Sequence, residues 1–495
     1  VNKLRWSASC LGALALLTTA CGRSDDTVSG ETTTPAATTP AGTATTAPGA
    51  ATSAPTDGSG APAAPGDRAL TAADIAAQCT SEPLQATEVG VSADKITIEV
   101  MADVGSPLAP GLFQANVDAI KGFAEYINAN GGIGCRQLEV RSWDSKIDAT
   151  EAKNGQIDAC ANAVALVGSN ALANADVSAM TGCKDLAGQP TGIPNMAALV
   201  QTPEEMCSPM TFTIQYRTEQ CPINVGQPRN YTWPIGPVKK MVELAGDEVH
   251  GVYLVAGDTP ATRQTQIPNI AAQEAVGVTF DAKLLVSGRD EQTAYAPRVQ
   301  YLKEGANYVY DGANDKAMIS MMKEAAAQGV DTSTVTWGCS IACYTRSFLS
   351  QGGSAVEGAY MWMQFLPLEE TAENAALQAY VDTVGADKVD TFGAQAWQAG
   401  IAFQQVVNQI VADEGPNAIT RAKIVAGLEG LDDFTADGWA GARDLRSVSP
   451  CFVLVQVRDG EFQRAWPEEP GTMDCDEGNL IAVTAEPVSG AEALS

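Results

Sequence analysis

Histidine is almost missing from this chain: among 495 residues, His250 is the single imidazole. Hydrolysis by a serine–histidine pair needs a histidine beside the nucleophile. His250 opens an apolar run, whereas a site in an α/β protein lies at the far end of such runs, so it reads as structural. A Gly-x-Ser-x-Gly elbow, a Walker-type phosphate loop and a dinucleotide glycine fingerprint are also missing. Without a Cys-x-x-Cys pair, and with one histidine, no zinc pattern exists, and neither a metal nor another cofactor is expected. Basic residues are scarce as well. Thirty Lys and Arg against 59 Asp and Glu leave a formal net charge of −29, the wrong sign for binding nucleic acid or an anionic membrane surface. Acidic pairs such as Asp432-Asp433 and Glu468-Glu469 are too ordinary in so acidic a chain to mark a catalytic dyad, and they read as solvated loops. The expectation is therefore a protein that is not an enzyme. Beyond the N-terminus no stretch approaches the roughly 20 apolar residues of a membrane helix.

What is present begins with Lys3 and Arg5, the apolar stretch Leu11-Gly-Ala-Leu-Ala-Leu-Leu17, and then Thr18-Thr-Ala-Cys21-Gly22. A positive start and a short apolar core read as an export signal. The end of the segment resembles the lipobox of bacterial lipoproteins, which implies acylation of Cys21; the usual Leu stands one place early, at Leu17, with Thr18 in its slot. Ordinary cleavage nearby, giving a freely secreted protein, is the competing reading. From Gly30 to Gly66 only Thr, Ala, Pro, Gly and Ser occur apart from Glu31 and Asp57. Such a run has no side chains for a core and reads as a disordered tether, with a reach of about 40 to 110 Å. The expected division places signal and lipid site in 1–21 and tether in 22–68.

The remainder, about 400 residues, exceeds one ordinary core and predicts two domains. Of 12 cysteines, Cys10 lies in the signal and Cys21 is the lipid candidate. The other ten are Cys79, Cys135, Cys160, Cys183, Cys207, Cys221, Cys339, Cys343, Cys451 and Cys475, an even number that in an exported chain points to disulfides. Spacing alone does not fix their connectivity. Neighbouring strand starts favour Cys79 with Cys135 and Cys160 with Cys183; nearness in sequence suggests Cys207 with Cys221, Cys339 with Cys343, and Cys451 with Cys475.

The folded part alternates strand and helix patterns. A strand is predicted at Ile96–Ala102, a helix around Asn116–Asn128 stopped by Gly131-Gly132, a strand at Gln137–Trp143, a helix from about Ala149 to Ala161 and an apolar strand at Ala163–Gly168. Later strands are expected at Val249–Val255, Val278–Val286, Tyr308–Tyr310 and Val335–Trp337. Apolar strands separated by helices imply parallel sheets covered on both faces, with ligands beyond the strands' carboxyl ends.

In this frame Gly90-Val-Ser-Ala-Asp-Lys-Ile-Thr-Ile98, Tyr126-Ile-Asn-Ala-Asn-Gly-Gly-Ile133, Asp148-Ala-Thr-Glu151 and Ala165-Leu-Val-Gly-Ser169 occur in order. Asn307-Tyr-Val-Tyr-Asp-Gly312, Ala355-Val-Glu-Gly358, Phe392-Gly-Ala-Gln-Ala-Trp-Gln-Ala399 and Val455-Gln-Val-Arg-Asp-Gly-Glu-Phe462 follow. Over about 390 residues the chain resembles the type I periplasmic solute-binding proteins, in their leucine/isoleucine/valine-binding branch. The resemblance implies an α/β fold of two lobes, each a mostly parallel sheet flanked by helices, with three interlobe crossovers. Lobe 1 would comprise 69–218 and 360–440, lobe 2 would comprise 219–359 and 441–480, and 481–495 would form a flexible tail. It also implies a monomer outside the cytoplasm, held to the membrane through its lipid, that captures a small polar solute by hinge closure and hands it to an ABC permease and ATPase.

Carried over residue by residue, the resemblance gives Ser169 and the adjacent amide of Asn170 a ligand carboxylate to hold, with a helix N-cap as the competing role for Ser169. Backbone groups of Ala197 and Ala198 would meet the same carboxylate, or belong to a plain loop. On lobe 2, Asp311 and Asn314 would bond a polar or cationic group, Ser340 follows the strand ending at Trp337, and Leu112, Phe113 and Trp337 would supply apolar walls or core. Two departures bear on the ligand. Where branched-chain amino-acid binders place a carboxylate for the ammonium, this chain reads Gly338-Cys339-Ser340, and Asp258-Thr-Pro-Ala261 replaces the usual Tyr-Gly. A buried ammonium without a carboxylate is costly. Either Asp311 takes that role or the solute is another small polar molecule: an amide, a urea-like compound or a carboxylic acid. A ligand sensor acting with a separate membrane partner, and a surface protein with no ligand, are the rival classes.

Overall fold

The computed structural model describes residues 78–107, 109–223, 227–258 and 260–486, so the signal, Cys21, the tether and residues beyond 486 lie outside it. Strand β1 (Lys95–Ala102) is buried at every position after Lys95, as a strand must be when it has neighbours on both edges and helices on both faces. On one side it runs parallel to β2 (Gln137–Asp144), with Lys95 opposite Gln137; on the other it meets β3 (Ala165–Val167), with Ile98 opposite Ala165. Strands β4 (Asn195–Ala197) and β5 (Thr211–Thr213) complete a parallel sheet of order β2-β1-β3-β4-β5. The Gln114–Ala129 helix buries Val117, Ile120, Phe123, Ala124 and Ile127 at helical spacing and packs against the long Thr391–Glu414 helix. The Ala149–Asn162 helix starts where it does because the Asp148 carboxylate accepts from the amides of Thr150 and Glu151, each at 2.9 Å. Gly168, which ends β3, has φ +71°, and a Cβ there would lie 2.6 Å from Ile120 Cγ1. That position admits no side chain.

The second lobe begins with β6 (Arg229–Pro234). Strands β7 (Val249–Ala256), β8 (Val278–Val286), β9 (Tyr308–Asp311), β10 (Thr336–Cys339) and β11 (Tyr360–Met363) run parallel, and β12 (Val453–Arg458) and β13 (Glu461–Trp466) add antiparallel, in the order β13-β12-β11-β10-β9-β7-β8. Strand β14 (Leu480–Ala485) pairs antiparallel with β6, and Tyr231, Trp233 and Val483 join the core with Val249, Tyr253 and Leu454. The chain passes between lobes three times: after β5, after β11 and before β12.

The boundaries differ from the sequence expectation in three places. Residues 360–363, expected in lobe 1, form β11 of the second sheet, because their apolar run pairs with both β10 and β12. Residues 441–445, expected in lobe 2, still belong to the first: Phe434 and Arg443 exchange backbone hydrogen bonds, and the Thr213 amide donates to Leu445 O. Residues 481–485, expected in a tail, lie in β14.

All five cysteine pairs suggested by the sequence are bonded: Cys79–Cys135, Cys160–Cys183, Cys207–Cys221, Cys339–Cys343 and Cys451–Cys475. The third has a special location. Cys207 follows the short Pro203–Met206 helix of lobe 1, whereas Cys221 precedes β6 of lobe 2, so this bond staples the lobes across the first crossover. Replacing both cysteines by serine is expected to cost about 2 kcal/mol and to raise the radius of gyration measured by small-angle scattering without ligand. An unchanged scattering profile would show that the bond does not limit the hinge.

Candidate functional site

The carboxyl ends of both sheets face a cavity of about 600 Å³ that both lobes and the crossovers line. Lobe 1 contributes mainly apolar groups, among them Leu112, Phe113, Leu172, Leu199, Val200 and Phe392. Lobe 2 contributes mainly polar ones: Asp258, Arg289, Asn314, Asp315, Lys316 and Ser340. Aromatic rings form the floor at the hinge. Tyr216 of the first crossover stacks on Trp362 with centroids 6.1 Å apart and planes 15° apart, and meets Trp233 edge-on at 6.1 Å. Trp362 Nε1 donates to the Tyr310 hydroxyl at 2.9 Å, which fixes the indole.

Most charged groups on the wall already have protein partners. Asp258 accepts from the Gly288 amide at 2.8 Å and from Ser287 Oγ. Asp315 accepts from the hydroxyls of Thr345 and Ser347. Lys316 Nζ donates to Gly288 O at 3.0 Å. Asp390 caps the Thr391–Glu414 helix through the Gly393 amide at 2.7 Å, and burial pushes its carboxyl up to about 6.

Of the residues expected at the site, Leu112, Phe113, Asn314 and Ser340 line the cavity. Asn314 also caps the Asp315–Ala327 helix through the Ala317 amide at 3.1 Å. The others lie behind the wall. Ser169 is 1% exposed, and its hydroxyl accepts from the Met101 amide at 3.1 Å, tying β3 to β1 instead of reaching a ligand. Asn170 is fully buried beside it, and Ala197 and Ala198 are sealed by backbone bonds, from the amides of Ile214 to Ala197 O and of Ala198 to Ser169 O. Trp337 points into the core, with Nε1 donating to Thr332 O at 2.9 Å.

Asp311 is a correction with chemical consequence. Its carboxyl is fully buried at the end of β9, accepts from the Ala313 amide at 2.7 Å, and is pushed up to about 8 by burial. At neutral pH it is mostly protonated, and it is no anionic partner for a ligand ammonium. Cys339 and Cys343 lie within 4.8 Å of it, but their sulfurs are bonded to each other and offer no thiolate to a metal. His250 stands at the start of β7, its Nδ1 3.1 Å from Asp281, outside the cavity wall.

Sequence reasoning missed Tyr216, Trp233, Trp362, Arg289 and Lys316. Tyr216 sits in a crossover that no period marks, and Trp233 and Trp362 lie in the short strands β6 and β11, which the sequence pattern does not single out. Phe392 was inside a quoted motif: it faces the cavity, while Trp397 of the same helix packs into the core against Phe123 and Tyr380.

Two α/β lobes, three crossovers and a cavity between them are the type I periplasmic-binding fold. The chain belongs to the periplasmic binding protein family, which residues 95–461 match. Among solved structures, a leucine binding protein from Thermotoga maritima is 14% identical, with a TM-score of 0.55 over 74% of this chain and 97% of its own. A fatty acid ABC transporter substrate-binding protein from Thermomonospora curvata is 15% identical, with a TM-score of 0.58 over 79% and 95%. An ABC transporter substrate-binding protein from Desulfitobacterium hafniense, solved in complex with Leu, is 13% identical, with a TM-score of 0.53 over 75% and 100%. No curated protein matches the chain in sequence. Among the described residues no helix is long and apolar enough to cross a membrane.

Proposed function

We propose that this chain is an extracytoplasmic solute-binding lipoprotein, anchored through Cys21, that captures a small amphipathic molecule between its lobes and delivers it to an ABC permease and ATPase. The observation that carries this reading is the interlobe cavity of about 600 Å³, apolar on one lobe and polar on the other. A solute that touches both sides adds contacts only when the lobes approach, so its binding energy favours the closed form. The wall narrows the solute further. Leu112, Phe113, Leu199, Val200 and Phe392 suit a hydrocarbon body, and the lobe 2 loops suit one polar head. Branched-chain amino acids and short to medium carboxylic acids combine the two, as the leucine and fatty-acid relatives of the same fold illustrate. Amides and urea-like compounds without an apolar body fit the wall less well. Binding without catalysis is the corresponding expectation.

A thermal-shift screen against amino acids, carboxylic acids, amides and ureas tests the reading. A true ligand at about 100 times its dissociation constant stabilises by about 2.7 kcal/mol. Because Trp233 and Trp362 line the floor, the same ligand is expected to change tryptophan fluorescence. Absence of any shift across all four classes would sink the proposal.

A further inference from the structure

Beside the main cavity, and sharing Gln215, Tyr216, Ser340, Ile341 and Trp362 with it, lies a second, much smaller space of about 20 Å³. Arg443, just ahead of the third crossover, lines it together with Gln364, Gln395 and Gln398. Arg443 is 6% exposed, and its Nε and Nη1 have no hydrogen-bond partner. No carboxylate among the described residues forms an ion pair with it. The surrounding amides are incomplete too: Gln398 Nε2 and the Oε1 atoms of Gln215, Gln364 and Gln395 lack partners. A buried cation without a counter-charge is normally costly. Burial lowers the Arg443 guanidinium to about 10, and the charge of the adjacent Asp444, which forms no ion pair with it, offsets this only in part.

We propose that Arg443 and Gln398 form a site for a monovalent anion at the hinge, and that the carboxylate of the captured solute fills it. A guanidinium with free donors in a dry pocket is the partner a carboxylate takes up best. Turning the terminal amides of Gln215 and Gln395 by half a rotation brings further donors to the same space, whereas Gln364 is held as it is by its Nε2 donating to Ser449 O at 2.7 Å. The space is large enough for one carboxylate oxygen pair at its mouth or one halide inside. The position joins binding to motion. Gln215 and Arg443 stand at the first and third crossovers, so an anion bonded to both ties these two together as the lobes close, while Gln364 at the second presents only its Oε1 and takes no part. The anion site stands on its own geometry; its occupation by the solute rests on the function proposed above.

The experiment compares the full chain with Arg443→Met and Arg443→Lys by thermal shift and fluorescence titration. Ligands are used in pairs of one skeleton, carboxylate against primary amide, for example leucine with leucinamide and hexanoate with hexanamide. Free anion is supplied as sodium chloride or acetate, against sodium sulfate at equal ionic strength. The expected result is a carboxylate preference of about 10- to 100-fold in the wild type, which falls to near parity in Arg443→Met and partly returns in Arg443→Lys. If chloride and acetate stabilise the wild type but not Arg443→Met while no solute discriminates, the site takes free anion, and the solute assignment is overturned. Tight solute binding with the same carboxylate preference in all three proteins overturns the site and leaves the function standing. If Arg443→Met does not fold, Gln398→Leu, which removes a donor that has no protein partner, must weaken the carboxylate preference; no change there overturns the proposal.

Discussion

Replacing Arg421 by alanine is expected to lower the unfolding free energy by about 3–5 kcal/mol. Arg421 is fully buried at the start of the Arg421–Glu429 helix. Its guanidinium donates to Cys160 O at 2.7 Å, Ala163 O at 2.6 Å and Lys184 O at 3.0 Å, and its amide donates to Glu88 Oε2 at 3.3 Å. These carbonyls belong to the two segments joined by Cys160–Cys183, one of which leads into β3. One side chain thus completes one fully buried and two partly buried hydrogen bonds, and alanine leaves these carbonyls short of a partner beside a void. Lysine, with a single donor centre and no planar fork, is expected to recover only part of the loss. Chemical denaturation of the wild type and both variants measures the difference; a loss below about 1 kcal/mol would show that solvent replaces the guanidinium.

Asp311→Asn is expected to flatten the pH dependence of stability between about pH 4 and pH 8, and to leave solute affinity unchanged. The ordinary aspartate value is 3.8, and burial raises the folded value to about 8. Between these values the unfolded chain has released its proton while the folded chain keeps it, so stability falls as pH rises across the window and stays low above it. The penalty at pH 8 is on the order of a few kcal/mol, and the asparagine variant, whose Oδ1 still accepts from Ala313, does not incur it. Glu205 behaves alike: it is buried, Asn195 Nδ2 donates to it at 3.0 Å, its Oε2 is unpartnered, and burial pushes it up to about 8. Glu205→Gln is expected to add to the effect. Melting temperatures recorded from pH 4 to pH 9 test both, and a wild-type curve rising from pH 4 to pH 8 with no difference in the variants would refute the assignment. A loss of solute affinity in Asp311→Asn would place this carboxyl in the binding machinery after all.

The sequence determined the secondary structure well because its signals are local. Asp148 ahead of Thr150 and Glu151 is a cap whichever lobe surrounds it, and β8 runs from Val278 to Val286 as its apolar pattern predicts. The cysteine pairs were also legible, since four of them link residues 4 to 24 apart. Lobe boundaries were less so. Tyr360-Met-Trp-Met363 is apolar enough for either sheet, and only pairing with β10 and β12 assigns it to the second.

The site was decided almost wholly by tertiary structure. Position after a strand brought Asn314 and Ser340 to the wall but not Ser169 or Asp311, because a strand end marks a location along the sheet and says nothing of which way the side chain turns. Tyr216, Trp233 and Trp362 meet through one stacked and one edge-on ring contact, between residues up to 146 apart. Arg443 and Gln398 come together within lobe 1 beside the crossovers, each in a sequence context of no distinction. Scarcity of histidine and of positive charge, the missing enzyme motifs and the strand–helix alternation are properties of the chain itself, readable without coordinates. Which polar groups end up buried without a partner, and therefore wait for a ligand, depends on how distant segments close against one another.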